Sequence, residues 1–155
     1  MTQQVRRVFI SYRRADNVDF VERIRDWFIQ RYGRANVFMD FDSIPPFADF
    51  TEFIKEKIAE CDAVLAIIGP AWVDILRQKA ADFQPDYVRL ELEAALSLNK
   101  IVAPVCIKGA PIPPSDKIPA SLRPIFARNI AFLDSGLQFL DNIERIVTAL
   151  DAEMN

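Results

Sequence analysis

Short apolar runs alternate with amphipathic stretches from one end of this sequence to the other. Apolar runs of about four to eight residues are typical of strands buried on both faces of a parallel sheet. We therefore predict strands at residues 8–12, 36–39, 63–68, 101–107 and 130–133.

Helical spacing of apolar residues fills most of the intervening stretches. A first helix is predicted from a cap at Asp16 to a stop at Gly33, with four apolar positions on one face: Val21, Ile24, Phe28 and Tyr32. Asp49 is placed to cap a second helix, whose apolar positions are Phe53, Ile54 and Ile58. Further helices are predicted at 86–98, 122–126 and 137–150, and the last carries Leu140, Ile143, Val147 and Leu150 on one face. Residues 77–84 are predicted as a polar part of a crossover, and 109–119 as a proline-rich loop.

This alternation predicts an α/β protein with a flavodoxin-like, three-layer fold. The expected sheet is parallel and five-stranded, in the order 2-1-3-4-5, with helices on both faces. We assign residues 1–155 to a single domain with its core at about 6–150. Ligands of such sheets bind beyond the carboxyl ends of the strands, near the switch between strands 1 and 3. A candidate site is therefore expected among loops 11–15, 40–48 and 69–73, with the helix from residue 86 beside it.

Composition narrows the chemistry of that site. The chain contains no histidine, which excludes Ser-His-Asp and Cys-His nucleophile systems and His-ligated metals, and we predict no metal site. Its four glycines lie too far apart for a Walker loop or a G-x-G-x-x-G loop. The net charge of −3 gives no electrostatic reason to expect a nucleic acid or an anionic membrane as partner.

No targeting signal is recognisable in the sequence. Residues 1–7 lack the apolar core of a signal peptide, and the longest apolar stretch, 63–73, is too short to span a bilayer. Cys61 and Cys106 adjoin apolar runs, so we expect them to pack as small hydrophobic residues rather than form a disulfide. The expected location is the cytoplasm.

The same architecture serves phosphoacceptor receiver domains, and that interpretation fails here. Such a site needs an acidic pair after strand 1 to hold Mg²⁺ and an aspartate at the end of strand 3. In this chain strand 1 is followed by Arg13 and Arg14, and strand 3 ends in Ile68-Gly69. The charge has the wrong sign and the phosphate acceptor is missing.

The charged residues of the first two loops each admit two interpretations. Arg13 and Arg14 suit an anion such as a phosphate, or they are solvated and pair with nearby aspartates, Asp16 or Asp19. Asp42, with Asp40, is placed to accept hydrogen bonds from ribose hydroxyls, or it makes local turn bonds ahead of two prolines.

The helix from residue 86 carries a third candidate pair. Tyr87 and Glu91 are four residues apart, so both project from one face of the helix. The aromatic ring could stack on a flat ligand while the carboxylate stabilises a nearby cation. The alternative is a solvated glutamate on an amphipathic helix. Trp72, just after strand 3, is expected in the core or in the wall of the crevice.

Four segments, in this order and spacing, resemble those of a Toll/interleukin-1 receptor (TIR) domain of the bacterial type. They are VFISYRR (8–14), VFMDFDSIPP (37–46), AIIGPAW (66–72) and DYVRLELEAAL (86–96). In TIR domains that cleave NAD⁺, a catalytic glutamate follows an aromatic residue, usually tryptophan, by four positions. The resemblance therefore implies that Glu91 is catalytic and that Tyr87 takes the place of the aromatic residue.

The resemblance also implies the remaining site residues. The substrate-binding set is Ser11, Arg13, Arg14, Asp42, Trp72 and Tyr87. The loop after strand 2, called the BB loop in this family, is expected to mediate assembly through Ile44, Pro45, Pro46 and Phe47. Phe47 departs from the glycine that many relatives carry after the two prolines, and this makes the loop stiffer and more apolar.

Two functions from different classes follow from the resemblance. One is an NAD⁺ glycohydrolase or cyclase, activated by TIR self-association in immune or anti-phage signalling, with NAD⁺ as substrate and no other cofactor. The other is a non-catalytic TIR module that signals by homotypic assembly. The combination of Glu91, Tyr87 and Arg13-Arg14 favours the enzyme, because a scaffold has no chemical need for it.

Overall fold

The computed structural model describes residues 6–16, 18–39 and 47–155. The strands are β1 (Val8–Ser11), β2 (Val37–Phe38), β3 (Ala63–Ile68), β4 (Ile101–Ile107) and β5 (Ala131–Leu133). The helices are α1 (Val18–Tyr32), α2 (Phe50–Glu60), α3 (Trp72–Ala81), α4 (Tyr87–Ser97) and α5 (Phe139–Met154). Short 3-10 turns lie at Arg14–Asp16, Arg34–Asn36, Ser115–Lys117 and Arg123–Ala127.

The strands form one parallel sheet in the order β2-β1-β3-β4-β5, which confirms the predicted topology. Every residue of the central strand β3 is buried. β5 is shorter than β4 and pairs with it from Val105 to Ile107. Within the described part of the chain, the outer edge of β4 before Val105 therefore has no strand beside it.

Helices cover both faces of the sheet, because successive strand residues point to opposite sides. One core cluster joins α1 and α5 to one side of the sheet, where the strand residues include Val8, Ile10, Leu65 and Ile67. The other joins α2, α3 and α4 to the opposite side, where they include Phe9, Val64, Ala66 and Ile68. The three-layer prediction is confirmed.

Two of the predicted helix boundaries rest on the expected local chemistry. The Asp49 carboxylate caps α2 by accepting from the backbone N–H groups of Thr51 and Glu52, at 3.0 and 3.2 Å. Gly33, with φ of 92°, follows the last residue of α1 in a conformation that side chains disfavour.

The predicted cap at Asp16 is wrong. Helix α1 begins at Val18, and the Asp16 carboxylate instead accepts a 2.7 Å hydrogen bond from the backbone N–H of Ala71. This bond joins the loop after β1 to the loop after β3. A Cβ atom at Gly69 would lie 2.2 Å from the Asp16 Cγ, so the close approach of the two loops requires glycine there.

Two helices differ from the predicted pattern. The crossover contains α3, which was not predicted. The large apolar residues of this helix are confined to its first half, where only Trp72 and Leu76 are buried, and a polar stretch follows from Arg77. In α5, Leu140 is half-exposed rather than part of the buried face. The face that packs on the sheet is Phe139, Ile143, Ile146, Val147, Leu150 and Met154.

Candidate active site

A crevice of about 500 Å³ lies at the carboxyl end of β1, where the strand order reverses. This volume falls within the range of roughly 300–1,000 Å³ that small-molecule sites occupy. Its walls come from the loop after β1, the end of β2 and helices α2, α3 and α4. The lining residues are Tyr12, Arg13, Arg14, Ala15, Met39, Phe50, Ile75, Lys79, Asp86, Tyr87, Val88 and Glu91.

Glu91 contributes a buried carboxylate to this wall. It lies in the second turn of α4 beside Leu92, and only 4% of its surface is exposed. The alternative of a solvated helical glutamate is therefore wrong for Glu91. It describes Glu93 instead, which is partly exposed and forms an ion pair with Arg89 at 3.4 Å. A charge held away from water interacts more strongly with charges that develop nearby.

Tyr87 stands one helical turn before Glu91 on the same wall, and it packs on α2. Its ring lies 4.4 Å, centroid to centroid, from the ring of Phe50, with 37° between the planes. Both rings line the crevice and remain partly exposed. They form an aromatic wall beside the carboxylate.

Arg13 forms a buried, two-point ion pair across the crevice. Its guanidinium donates to both carboxylate oxygens of Asp86, at 3.0 and 2.8 Å, and its Nε donates to the backbone carbonyl of Trp72 at 3.1 Å. The Arg13 and Asp86 side chains are 4% and 7% exposed. Asp86 also caps α4, because it accepts from the backbone N–H of Arg89. Arg13 therefore fixes the first turn of the helix that carries Tyr87 and Glu91.

This arrangement corrects one alternative for the arginines. The hydrogen-bonded partner of Arg13 is Asp86, not Asp16 or Asp19, and the pair is buried rather than solvated. Arg14 is exposed and lines the crevice. A contact of either arginine with an anionic ligand stays a prediction.

Two predicted substrate-binding residues lie outside the crevice lining. Trp72 is buried in the core, where its ring meets Phe126 edge-on at 5.9 Å. It contacts Arg13 twice, through the backbone carbonyl that accepts from Nε and through the ring, whose centroid lies 5.4 Å from the guanidinium carbon. Ser11, the last residue of β1, is also buried and does not line the crevice. The resemblance implied both as substrate-binding residues, whereas the burial of Trp72 agrees with the other expectation, that it lies in the core.

The loop after β2 is described only from Phe47 onward. Asp42, Ile44, Pro45 and Pro46 lie outside the described residues. Phe47 is fully exposed and has φ of 68°, a left-handed conformation that is uncommon for a bulky residue.

Several lining residues were not anticipated from the sequence. Ile75 and Lys79 are one turn apart on α3 and both face the crevice, but that helix was not predicted. Phe50 lines the crevice from the first position of α2. In the sequence, Phe50 directly follows the predicted cap at Asp49. This position indicates where the helix starts but not that the Phe50 side chain faces the crevice.

Burial perturbs other ionisable groups around the sheet. Desolvation raises the pKa of Asp16, against the opposing effects of the Ala71 hydrogen bond and the Arg13 charge. Burial likewise raises the pKa of the Cys61 thiol to about 12 and that of Cys106 to about 11, so both thiols are protonated at neutral pH. The cysteines are free and buried, as expected for small core residues.

Within residues 6–16, 18–39 and 47–155, no group of three or more cysteine, aspartate or glutamate residues is arranged to hold a metal ion. No helix in these ranges is long and apolar enough to cross a membrane.

The fold and the crevice define a class, the doubly wound α/β domain with a ligand site at its topological switch point. Within that class the sequence identifies the family. A profile of the TIR domain matches residues 8–146, and the chain belongs to the TIR domain family.

Comparison with solved structures agrees on the fold. The TIR domains of the activated Roq1 resistosome, which directly recognises the pathogen effector XopQ, match with a TM-score of 0.66 and 13% identity. The match covers 94% of this chain and 99% of that one. None of the curated proteins compared with the chain matches it.

Proposed function

We propose that this TIR domain is an NAD⁺ glycohydrolase, which releases nicotinamide and forms ADP-ribose or a cyclic isomer of it. The observation that carries the proposal is the Glu91 carboxylate, which is 4% exposed on the wall of a crevice of about 500 Å³. Tyr87 and Phe50 flank the same space with aromatic surface.

The chemistry suits a site without histidine. The nicotinamide of NAD⁺ is a cationic pyridinium that leaves as a neutral molecule, so its departure needs no general acid, unlike ordinary glycoside cleavage. One carboxylate suffices to hold the ribose hydroxyls and stabilise the oxocarbenium-like transition state. Attack by water then gives ADP-ribose, whereas attack by the adenine or a ribose hydroxyl of the same molecule gives a cyclic product.

The position of Glu91 supports this role. Its burial strengthens an interaction with developing positive charge, because little water screens it. The Arg13–Asp86 pair fixes the helix that carries it, and a fixed carboxylate loses little free energy to reorganisation during the reaction.

The biological setting that we propose is immune-type signalling, including defence against phage, in the cytoplasm. The shared fold with TIR domains of a resistosome that recognises a pathogen effector supports an immune role. We further propose that self-association through the loop that ends at Phe47 activates the enzyme.

A non-catalytic module acting through homotypic assembly is the second candidate. The observation in its favour is Phe47, whose ring is fully exposed at the end of the loop after β2 and is available for burial against a second molecule. Such a module needs the loop but has no need of the buried carboxylate.

Nicotinamide release decides between the two functions. The protein is incubated with NAD⁺ at high protein concentration, and free nicotinamide is followed by chromatography. Release that depends on Glu91 supports the enzyme. If no nicotinamide forms while the protein still associates with itself, the enzyme proposal fails and the assembly module is favoured.

A further inference from the structure

Helix α3 directs one face into the crevice. Ile75 and Lys79 lie one helical turn apart and both line it, whereas Arg77 on the same helix is exposed and does not. The Lys79 ammonium lies 3.4 Å from the backbone carbonyl of Pro85, in the loop just before α4. This contact holds a cation near the first turn of the helix that carries Glu91.

More cations than carboxylates line the crevice, although the chain as a whole has a negative net charge. The lining carries three cations, Arg13, Arg14 and Lys79, and two carboxylates, Asp86 and Glu91, in a protein whose net charge is −3. Arg13 and Asp86 neutralise each other in their two-point pair. Arg14 and Lys79 are the other cations of the lining, and Glu91 is its other carboxylate.

A dinucleotide with a pyridinium at one end carries the complementary charges. Its two phosphates are anionic, and its reacting ring and the adjoining ribose are where positive charge resides in the ground and transition states. The phosphates therefore require a cation that lies apart from Glu91. Arg13 does not suit this role, because its Nε and both terminal nitrogens already donate to protein acceptors.

We propose that Lys79, together with Arg14, binds the diphosphate of the dinucleotide. This inference rests on the proposed NAD⁺ cleavage and extends it by assigning substrate affinity to α3. Lys79 binds the part of the substrate that does not change during the reaction, so its interaction stabilises the ground state and the transition state alike.

Direct binding of ADP-ribose tests Lys79 without relying on catalysis. Lys79→Ala and Lys79→Gln are expected to weaken ADP-ribose binding about tenfold or more in calorimetry, since a charge-assisted hydrogen bond is lost. Lys79→Arg keeps the cation and is expected to bind within about threefold of the unmodified protein. Arg77→Ala removes a cation from the exposed side of the same helix, and its binding should not change.

Kinetics supply a second measurement. Lys79→Gln is expected to raise the KM for NAD⁺ about tenfold while kcat stays within about threefold, because uniform binding is removed. Glutamine keeps a polar side chain without the charge, so the variant tests the charge of Lys79 rather than the mere presence of a side chain.

Each outcome has a distinct meaning. ADP-ribose binding to Lys79→Gln equal to that of the unmodified protein would overturn the inference, and so would an absence of ADP-ribose binding at millimolar concentration. Either result is compatible with nicotinamide release, and then the proposed function stands. Lys79-dependent binding without nicotinamide release would instead support the diphosphate site and contradict the proposed activity.

Discussion

The crevice at the carboxyl end of the sheet encloses about 500 Å³, whereas a groove at the amino ends of β4 and β5 encloses about 710 Å³. The groove is lined by β4 and α5, and its two charged residues, Arg128 and Glu153, form a pair at 3.4 Å in which they are 62% and 58% exposed. The crevice contains the buried Arg13–Asp86 pair and Glu91.

The groove is therefore the larger of the two concavities, but both of its charged residues are exposed to solvent. Solvent screens the charges of the groove, and such exposed pairs contribute little to stability or to binding. Burying a charge is costly unless the fold compensates it, so buried charges in a concave surface indicate a functional site more reliably than volume does.

The largest expected difference between the two ends of the sheet is in how much each ion pair contributes to the free energy of unfolding. Asp86→Ala leaves the Arg13 guanidinium buried without its carboxylate partner, and we expect the free energy of unfolding to fall by about 3–5 kcal/mol. Glu153→Ala removes the partner of the exposed Arg128 and should cost less than about 1 kcal/mol. Urea unfolding measures both, and equal losses would contradict the contrast between the two ends.

Replacement of the catalytic candidate sharpens the comparison within α4. Glu91→Gln keeps the buried shape and removes the charge, so nicotinamide release should fall about 10²–10³-fold with the fold intact. Glu93→Gln, on the half-exposed side of the same helix, should stay within about threefold. If Glu91→Gln retained activity near that of the unmodified protein, the catalytic role would pass to another carboxylate, and Asp86, which also lines the crevice, is the first candidate.

At the carboxyl end of the sheet, we expect assembly to depend on the loop after the edge strand β2 and not on the segment after the other edge strand, β5. We expect specific activity to rise faster than linearly with protein concentration, and Phe47→Ala to flatten that rise, because an exposed aromatic anchor is lost. Leu137→Ala is the matched control, since this fully exposed residue follows β5 at the opposite edge of the sheet.

Light scattering and nicotinamide release over a range of protein concentrations measure the effect of Phe47. Constant activity per molecule from dilute to concentrated protein would show that each subunit has a complete site. The assembly part of the proposal would then be wrong, and the role of Glu91 would be unaffected.

The smallest expected effect concerns the carboxylate that joins two loops at the carboxyl end. Burial raises the pKa of Asp16 in the folded protein above its ordinary value of 3.8, so the folded state binds the proton more tightly than the unfolded state. The contribution of Asp16 to the free energy of unfolding should therefore fall as pH rises from 3.8 through the folded pKa, and then stay level. Asp16→Asn should remove this dependence, and a pH series of urea unfolding measures it. An unchanged pH profile in the variant would exclude Asp16 as its source.

Periodicity predicted the sheet because β3 and β4 are continuous apolar runs bounded by breakers. The sequence 63–68 matches β3 (Ala63–Ile68), and the strand order followed from alternation with helices. Helix α3 was missed because it buries only Trp72 and Leu76 and shows mostly polar residues to solvent. Local pattern is informative only where an element buries a regular stripe.

Site residues were predictable where a motif marked them, but their partners were not. Tyr87 and Glu91 were marked by their spacing, whereas the pairing of Arg13 with Asp86 joins residues that are 73 positions apart. Asp16 looked like a helix cap for the same reason, because the Ala71 amide that it binds is 55 positions away. Local sequence carries no record of such contacts, which arise only when the loops converge at the end of the sheet.

The unequal lengths of β4 and β5 bear on how the protein behaves in concentrated solution. In the part of the chain that the structure describes, no strand pairs with the outer edge of the first half of β4, where Val102 and Pro104 are buried. Unpaired strand edges promote aggregation between molecules when they become exposed. Pro104 stands in that half and has no backbone N–H to offer to a foreign strand. We therefore expect Pro104 to disfavour the addition of a foreign strand at this edge without affecting association through other surfaces.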